Sequence, residues 1–243
     1  MADKKKKRKE VSSEETLVEK PSNGVRKRKL AKEIKLNALN ENQSKFLDLL
    51  NDSDKKIIFG IGRAGTGKTF LSVLHGLKSL ENYDSILYIR PNVKTKGEDE
   101  IGAMPGPEQD KLAWLRLPIY DLLEGKFNIK TIDSFFEDKL IEVSNIGLLR
   151  GRSLKNKIII VDETQNCSFH LLKTVISRLG ENSRMILLGD PRQIDLKNEK
   201  EDSFTTVAEM LDKLPEVGKI YFTKDDVVRS GIMKRVLDIL EPN

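Results

Sequence analysis

Residues 62–69 of the chain read Gly62-Arg63-Ala64-Gly65-Thr66-Gly67-Lys68-Thr69, the most informative segment of the sequence. The eight residues match G-x-x-x-x-G-K-[ST] at every fixed position, and we expect all of them to contact a bound nucleotide. The glycines let the backbone turn with its N–H groups pointing inward around phosphate oxygens. Lys68 is expected to reach the β- and γ-phosphates, and the Thr69 hydroxyl to bind Mg²⁺. A chance match in a structural turn is the alternative.

The sequence on either side of this loop favours the phosphate-binding interpretation. An apolar strand precedes the loop and helical sequence follows it, so that the amino end of a helix would lie behind the bound anion. Strands are predicted at 57–59, 86–89, 141–143, 158–161, 185–188 and 220–222, with helices at about 68–80, 168–179, 203–213 and 226–240. A Gly- and Pro-broken insert covers about 92–108, and a further helix is expected between it and Gly125. Continuous apolar strands alternating with helices predict one α/β domain over 36–243, with a parallel sheet covered by helices on both faces.

Two adjacent carboxylates follow the predicted strand at 158–161. Ligands of open α/β sheets bind at the carboxyl ends of the strands, so Asp162 and Glu163 are expected at the same edge of the sheet as Lys68. Asp162 would hold Mg²⁺ through water. Glu163 would polarise the attacking water, which favours hydrolysis of the nucleotide over simple binding. A helix-capping role for the pair is the alternative.

A third polar element, Gly189-Asp190-Pro191-Arg192-Gln193, follows the strand predicted at 185–188. A polar side chain at this position could detect the γ-phosphate. Gln193 suits that role because its amide both donates and accepts hydrogen bonds. An ordinary Gly-Asp-Pro turn explains the same residues equally well.

Taken together, these motifs resemble the PhoH family. The resemblance extends from about Asn42 to the C-terminus and rests on 62–69, Arg90-Pro91, Arg150-Gly151-Arg152, Asp162-Glu163-Thr164-Gln165-Asn166, 189–193 and Asp226-Val227-Val228-Arg229. PhoH proteins are similar to the first RecA-like domain of superfamily-one helicases, so the resemblance implies a RecA-like P-loop NTPase fold and ATPase activity. In this family, ATPase activity is often linked to RNA. The resemblance also implies that Gln43 reads adenine and that Arg229 contacts the γ-phosphate. Thr164 replaces the family's usual alanine and leaves the carboxylates unchanged. The PIN nuclease domain of some PhoH proteins is not expected in this chain.

The positive charge of the chain is concentrated at its N-terminus. The whole chain has 43 Lys and Arg against 38 Asp and Glu, and residues 1–35 alone have 13 against 6. Because this segment has almost no apolar residues to bury, we expect a disordered basic tail. Its run Lys4–Lys9 fits a nucleic-acid tether, a nuclear localisation signal or a solvated tail without a partner.

Composition excludes several classes of site. No apolar run approaches the roughly 18 residues that span a bilayer, and no apolar segment follows the first charges as in a signal peptide. Cys167 is the only cysteine, which excludes an internal disulfide framework and a cysteine-built zinc site. A reducing, cytoplasmic compartment is therefore expected.

Residues 223–226 read Thr-Lys-Asp-Asp and match T-K-x-D, a variant of the guanine-reading loop of GTPases. The switch sequence D-x-x-G is missing after the strand at 158–161, which favours ATP over GTP. Asp226 is better explained as the N-cap of the last helix.

Two functions are consistent with these patterns. The first is an ATPase that remodels or moves along RNA or single-stranded DNA, and the second is a non-motor ATPase that regulates a protein partner. A helicase-type machine closes two RecA-like folds on one ATP, so the first function predicts a homo-oligomer, such as a hexameric ring, in which a neighbour's arginine completes the site. Arg150, Arg152 and Arg229 are the candidates, and we expect Arg150 and Arg152 in a loop near the nucleotide end of the sheet. A charged surface turn is the alternative for 150–152.

Overall fold

A six-stranded parallel sheet forms the centre of the protein. The structure, a computed structural model, describes residues 23–91, 108–194 and 202–228 together with positions 231, 232, 236 and 239. Its strands, in chain order, are β1 (Ile57–Gly62), β2 (Ser85–Arg90), β3 (Ile141–Asn145), β4 (Lys157–Val161), β5 (Arg184–Gly189) and β6 (Val217–Phe222). The spatial order is β3-β2-β4-β5-β1-β6, and every pair is parallel. The carboxyl ends of β1, β4 and β5 therefore lie side by side at one edge of the sheet.

Helices cover both faces of the sheet. They are α1 (Asn23–Glu33), α2 (Glu41–Asn51), α3 (Lys68–Lys78), α4 (Glu108–Leu123), α5 (Ile129–Glu137), α6 (Phe169–Ile176) and α7 (Ser203–Leu211), with 3₁₀ turns at Ile146–Leu149, Thr164–Asn166 and Lys224–Asp226. The apolar side chains of α1 to α5 pack on one face, and those of α6, α7 and the first 3₁₀ turn pack on the other. None of the helices in the described part of the chain is long and apolar enough to cross a membrane.

Strand β4 shows why the apolar runs in the sequence predict a covered parallel sheet. Ile158 and Ile160 pack in the first core layer, whereas Ile159 and Val161 pack in the second. All four side chains are almost completely buried, because successive residues of a strand point to opposite faces. The predicted α/β fold, a parallel sheet with helices on both faces, is confirmed.

The N-terminal segment contradicts part of the prediction of a disordered tail over 1–35. Residues 23–33 form α1, and Leu30 and Ile34 are each only 6% exposed within the first core layer. Leu30 lies in the last turn of α1 and Ile34 follows the helix directly, so these two side chains can anchor the segment although its other residues are mostly polar. The prediction of disorder is wrong for 23–34, and residues 1–22 lie outside the described residues.

Helix α5 was not predicted from the sequence. Asn128 caps it by accepting a hydrogen bond from the Thr131 N–H, and Ile132, Phe135 and Phe136 bury its apolar side. Their spacing is that of an amphipathic helix, but the nine-residue segment is too short for a clear periodic signal. Most of the insert predicted at 92–108, and most of the last helix predicted at 226–240, lie outside the described residues.

Candidate active site

The loop between β1 and α3 encloses the amino end of α3. Gly62 and Gly67 have φ angles of 129° and 83°, which L-residues rarely adopt. A Cβ atom on Gly62 would lie 2.1 Å from the carbonyl oxygen of Phe222, and one on Gly67 would lie 2.9 Å from Nε2 of Gln43. Glycine is therefore required at both positions by the backbone conformation and by close neighbours. Gly67 also leaves the amino end of α3 without a side-chain cap, so its first N–H groups can receive an anion.

Lys68 lies inside this loop and is 8% exposed. Its Nζ donates hydrogen bonds to the carbonyl oxygens of Gly62 and Arg63, at 2.6 and 2.7 Å, and approaches the Thr66 hydroxyl at 3.2 Å. Burial lowers the pKa of Lys68 to about 8, although nearby carboxylates, Asp190 foremost, oppose that change. A phosphate group would supply the negative charge that favours the ammonium form.

Thr69 and Asp162 meet beside the loop. The Thr69 hydroxyl lies 3.2 Å from each carboxylate oxygen of Asp162, and the buried Tyr88 hydroxyl donates a hydrogen bond to Asp162 at 2.8 Å. Burial raises the pKa of Asp162, and repulsion from Glu163 adds to the rise, while the Tyr88 hydrogen bond opposes it. A hydroxyl and a buried carboxylate are oxygen ligands of the kind that Mg²⁺ prefers, and a cation would stabilise the ionised carboxylate. These residues therefore fit a magnesium site.

Glu163 follows Asp162 with its backbone in the left-handed region, at φ 57° and ψ 37°. Its Oε1 forms an ion pair with Arg90 Nη2 at 3.3 Å, and its Oε2 accepts a hydrogen bond from Gln165 Nε2 at 2.7 Å. The Glu163 side chain makes no capping hydrogen bond to the following 3₁₀ turn, so the capping alternative does not explain it. The sequence predicts no role for Arg90, Gln165 or Tyr88. Arg90 and Gln165 belong to the motifs that resemble the PhoH family, whereas Tyr88 belongs to none of them.

The turn after β5 contains Asp190 and Gln193, for which the sequence left a structural turn and a γ-phosphate sensor as alternatives. The Gln193 N–H donates to the Asp190 carbonyl at 2.9 Å, which closes a turn, and the exposed Gln193 side chain also lines the pocket beside the loop. Asp190 is 4% exposed, accepts a hydrogen bond from the Ala64 N–H at 3.1 Å, and pairs with Arg192 at 2.8 Å. The role of Gln193 as a sensor of the γ-phosphate stays a prediction.

One pocket brings most of the predicted residues together. It has a volume of about 270 Å³ and is lined by residues 64–70, Leu122, Asp162, Glu163, Gly189, Asp190 and Gln193. The three polar motifs lie far apart in the sequence and meet because β1, β4 and β5 end at the same edge of the sheet. Phe70 and Leu122 form an apolar wall that the sequence did not indicate. Among the residues that the structure describes, no group of three or more His, Cys, Asp or Glu side chains could hold a metal ion without other ligands.

Gln43 lies behind the loop rather than in this pocket. It is 3% exposed, its Nε2 donates to the Thr66 carbonyl at 2.9 Å, and its Oε1 accepts from the Leu39 N–H at 2.8 Å. These contacts support the loop backbone directly. Recognition of adenine by Gln43 stays a prediction, and Arg229 lies outside the described residues.

Asp226 does not cap the last helix as predicted. It closes the turn that Thr223 begins, accepting a hydrogen bond from the Thr223 N–H at 2.7 Å and another from Asn42 Nδ2 at 2.8 Å. The carboxylate is 5% exposed and already has these partners, so the T-K-x-D match reflects a local structural need. Two residues later, the Val228 N–H donates to the Gly65 carbonyl at 2.8 Å and fixes this segment against the phosphate-binding loop.

The predicted position of Arg152 near the nucleotide end of the sheet is wrong. The Leu154 N–H, two residues after Arg152, donates a hydrogen bond to the Arg178 carbonyl at 2.9 Å, and the Arg178 side chain donates to the Arg152 carbonyl. Arg178 lies between the end of α6 and the start of β5, at the amino edge of the sheet and opposite the phosphate-binding loop. The chain makes an exposed turn at 150–151 and then returns toward the start of β4, since parallel neighbours require such a return. This matches the alternative of a charged surface turn.

The family model described as "PhoH-like protein" matches residues 35–241. A PhoH-like protein of Synechocystis sp. is 36% identical over 187 residues, 76% of this chain and 56% of that protein. Protein PhoH2 of Bacillus subtilis is 36% identical over 210 residues (83% and 47%), and Protein PhoH of Escherichia coli is 30% identical over 204 residues (82% and 56%). The chain spans about half the length of these curated relatives.

Two solved structures share a distant likeness with the chain. The Hef helicase domain of Pyrococcus furiosus gives a TM-score of 0.42 at 13% identity, covering 76% of this chain and 39% of that one. The N-terminal domain of the DNA packaging ATPase from bacteriophage phi29 gives a TM-score of 0.41 at 13% identity, covering 79% of this chain and 100% of that one.

Proposed function

The chain belongs to the PhoH family of P-loop NTPases, and we propose that it hydrolyses ATP with Mg²⁺ and couples this reaction to binding or remodelling RNA or single-stranded DNA. The proposal of hydrolysis rests on one observation, which is that residues suited to three different functions lie in one pocket. A buried lysine lies in the phosphate-binding loop, a hydroxyl and a carboxylate lie 3.2 Å apart, and a second carboxylate lines the same pocket. The first two functions suffice for binding, whereas the third supplies a base for hydrolysis.

Each residue has a defined task in the proposed reaction. Lys68 would exchange its hydrogen bonds to the loop carbonyls for the β- and γ-phosphate oxygens, where its charge offsets the charge of the transition state. Thr69 and Asp162 would hold the magnesium ion, which supplies charge neutralisation when bound. Glu163 would accept a proton from water as the water oxygen bonds to the γ-phosphorus and the bond to the β-phosphate oxygen breaks.

ATP is preferred to GTP as the substrate because the guanine-reading match has another explanation. The Asp226 carboxylate, which would have to bind guanine, is buried against Thr223 and Asn42. Competition between the two nucleotides for turnover tests this preference directly.

Coupling to nucleic acid is supported by the distribution of charge. On α1, the exposed side chains include Arg28, Lys29 and Lys32, and the preceding 22 residues add the run Lys4–Lys9. Cationic side chains neutralise backbone phosphates and release counterions, so such binding weakens steeply as salt rises. In a homo-oligomer, the proposed form of the active enzyme, an arginine from a neighbour would complete the site, and Arg150 and Arg229 are the candidates that remain after Arg152.

The proposal is tested by measuring ATP turnover with and without single-stranded RNA and DNA at two salt concentrations. We expect turnover that requires Mg²⁺ and rises with nucleic acid, more strongly at low salt. Turnover that is unaffected by either nucleic acid would favour the non-motor alternative, a regulatory ATPase acting on a protein partner. A chain that binds no nucleotide would contradict the assignment of the pocket.

A further inference from the structure

The carboxylate of Glu163 is restrained on both of its oxygens. Oε1 lies 3.3 Å from the Arg90 guanidinium, and Oε2 accepts the 2.7 Å hydrogen bond from Gln165. A water molecule that is to be activated has to share these two oxygens with both donors. Glu163 also has a left-handed backbone conformation, which a non-glycine residue keeps only where its surroundings hold it.

These contacts belong to a continuous row that crosses the carboxyl edge of the sheet. Gln165 Oε1 accepts a hydrogen bond from the Asp190 N–H at 3.1 Å, and the Asp190 carboxylate accepts one from Ala64 in the phosphate-binding loop. At the other end, Arg90 is the last residue of β2. The row therefore connects the loop that would hold ATP with an arginine on a different strand, and Glu163 lies within it.

Arg90 is the partner that can leave. Its side chain is 28% exposed and that of Glu163 is 36% exposed, whereas Gln165 is 3% exposed and held at both ends of its amide. A partly exposed ion pair is weak, so a competing anion can break it. A guanidinium binds phosphate oxygens with two parallel hydrogen bonds, which makes a phosphodiester a suitable competitor.

We propose that Arg90 is a positioning residue that restrains Glu163 until a phosphodiester of RNA or single-stranded DNA binds its guanidinium. Binding of nucleic acid then frees one carboxylate oxygen for the attacking water and raises ATP turnover. This inference rests on the proposed ATPase function and identifies the residue through which nucleic acid acts on it. The shared phosphodiester backbone is the ligand, and the sugar determines only which nucleic acid is preferred.

The test compares steady-state ATP turnover of the wild type with Arg90→Gln, Arg90→Lys and the control Arg152→Gln. Arg152→Gln also removes one arginine charge, but from the opposite end of the sheet. Each protein is assayed alone, with oligouridine and with oligothymidine. Thermal unfolding of each variant separates loss of function from loss of fold.

We expect Arg90→Gln to raise kcat without nucleic acid by about twofold to fivefold, the range for release of a partly exposed ion pair, with KM for ATP nearly unchanged. Stimulation by both oligonucleotides should be lost. Arg90→Lys, which keeps the ion pair, should keep the low kcat of the wild type, and Arg152→Gln should match the wild type throughout. Stimulation by oligouridine alone in the wild type would identify RNA as the source of the phosphodiester.

Two results would overturn the restraint. One is an Arg90→Gln kcat at or below the wild-type value without nucleic acid, which would assign Arg90 to catalysis or to folding. The other is undiminished stimulation of Arg90→Gln by the oligonucleotides. Both differ from failure of the proposed function, in which the wild type hydrolyses no ATP under any condition and the inference fails with it.

Discussion

His75 should make the stability of the domain depend on pH between about 6.5 and 4. It lies on α3, the helix that follows the phosphate-binding loop, and is 5% exposed. Its Nδ1 is buried with no hydrogen-bond partner, and its Nε2 lies 3.3 Å from the Ser79 hydroxyl. Burial lowers the pKa of His75 to about 4, and the positive charges of Arg184 and Lys78 contribute. The folded protein therefore keeps this histidine neutral under conditions in which the unfolded chain protonates it.

The sign and size of the effect follow from proton linkage. A folded-state pKa of about 4 lies below the unfolded value of about 6.5, so the unfolded state binds the proton more readily as the pH falls. The neutral histidine contributes fully to the free energy of unfolding above pH ~6.5, and this contribution is lost progressively as the pH falls toward ~4. Between pH ~7.5 and pH ~5 the expected loss is about 2 kcal/mol in the free energy of unfolding.

Urea unfolding of the wild type and of His75→Asn and His170→Asn at several pH values measures this loss. The chain has two histidines, and His170 is exposed, so the second variant is a matched control. The wild type and His170→Asn should lose stability in parallel, whereas His75→Asn should lose about 2 kcal/mol less over the same interval. Equal pH dependence of the free energy of unfolding in all three proteins would show that His75 is not the group responsible for the loss of stability.

Three other predictions concern the site and the N-terminus. Tyr88→Phe should raise the Mg²⁺ concentration for half-maximal turnover by about tenfold, since it removes a hydrogen bond to Asp162, the carboxylate proposed to bind the metal. An unchanged Mg²⁺ titration would contradict this. Deletion of 1–22 should preserve thermal stability and weaken salt-dependent RNA binding. Deletion of 1–35 should also destabilise the domain by about 3 kcal/mol or more, because the buried side chains of Leu30 and Ile34 are lost. Equal unfolding temperatures of the two deletion variants would show that α1 does not stabilise the domain. Mixing inactive Lys68→Ala and Arg229→Ala proteins should partly restore ATP turnover if neighbours share a site, and the absence of any recovery would count against a trans arginine.

The sequence predicts the elements whose signal is local. The phosphate-binding loop has a fixed pattern because its glycines adopt conformations and approaches that other residues cannot. The strand at 158–161 is evident because both of its faces are buried and all of its residues are aliphatic. Once a parallel sheet is inferred, the meeting of Lys68, Asp162 and Glu163 follows from the rule that ligands bind at the carboxyl edge.

The features that the sequence did not predict depend on which strands are neighbours. Tyr88 and Arg90 contact the two carboxylates only because β2 lies beside β4, and no local pattern reveals that pairing. The position of Arg152 was misjudged for a related reason, since the chain had to return across the sheet before β4 could begin. Helix α1 was missed because its burial depends on two side chains in a segment whose composition is otherwise that of a disordered tail.

Replacement of Glu163 by glutamine tests whether this residue is the base for ATP hydrolysis. Glu163→Gln keeps the size of the side chain and one oxygen acceptor but removes the base. We expect this variant to bind ATP with Mg²⁺ nearly as the wild type does and to hydrolyse it at least about 100-fold more slowly, measured by nucleotide binding and single-turnover hydrolysis on the same preparation. Hydrolysis within about twofold of the wild type, or loss of ATP binding, would contradict the assignment of Glu163 as the catalytic base.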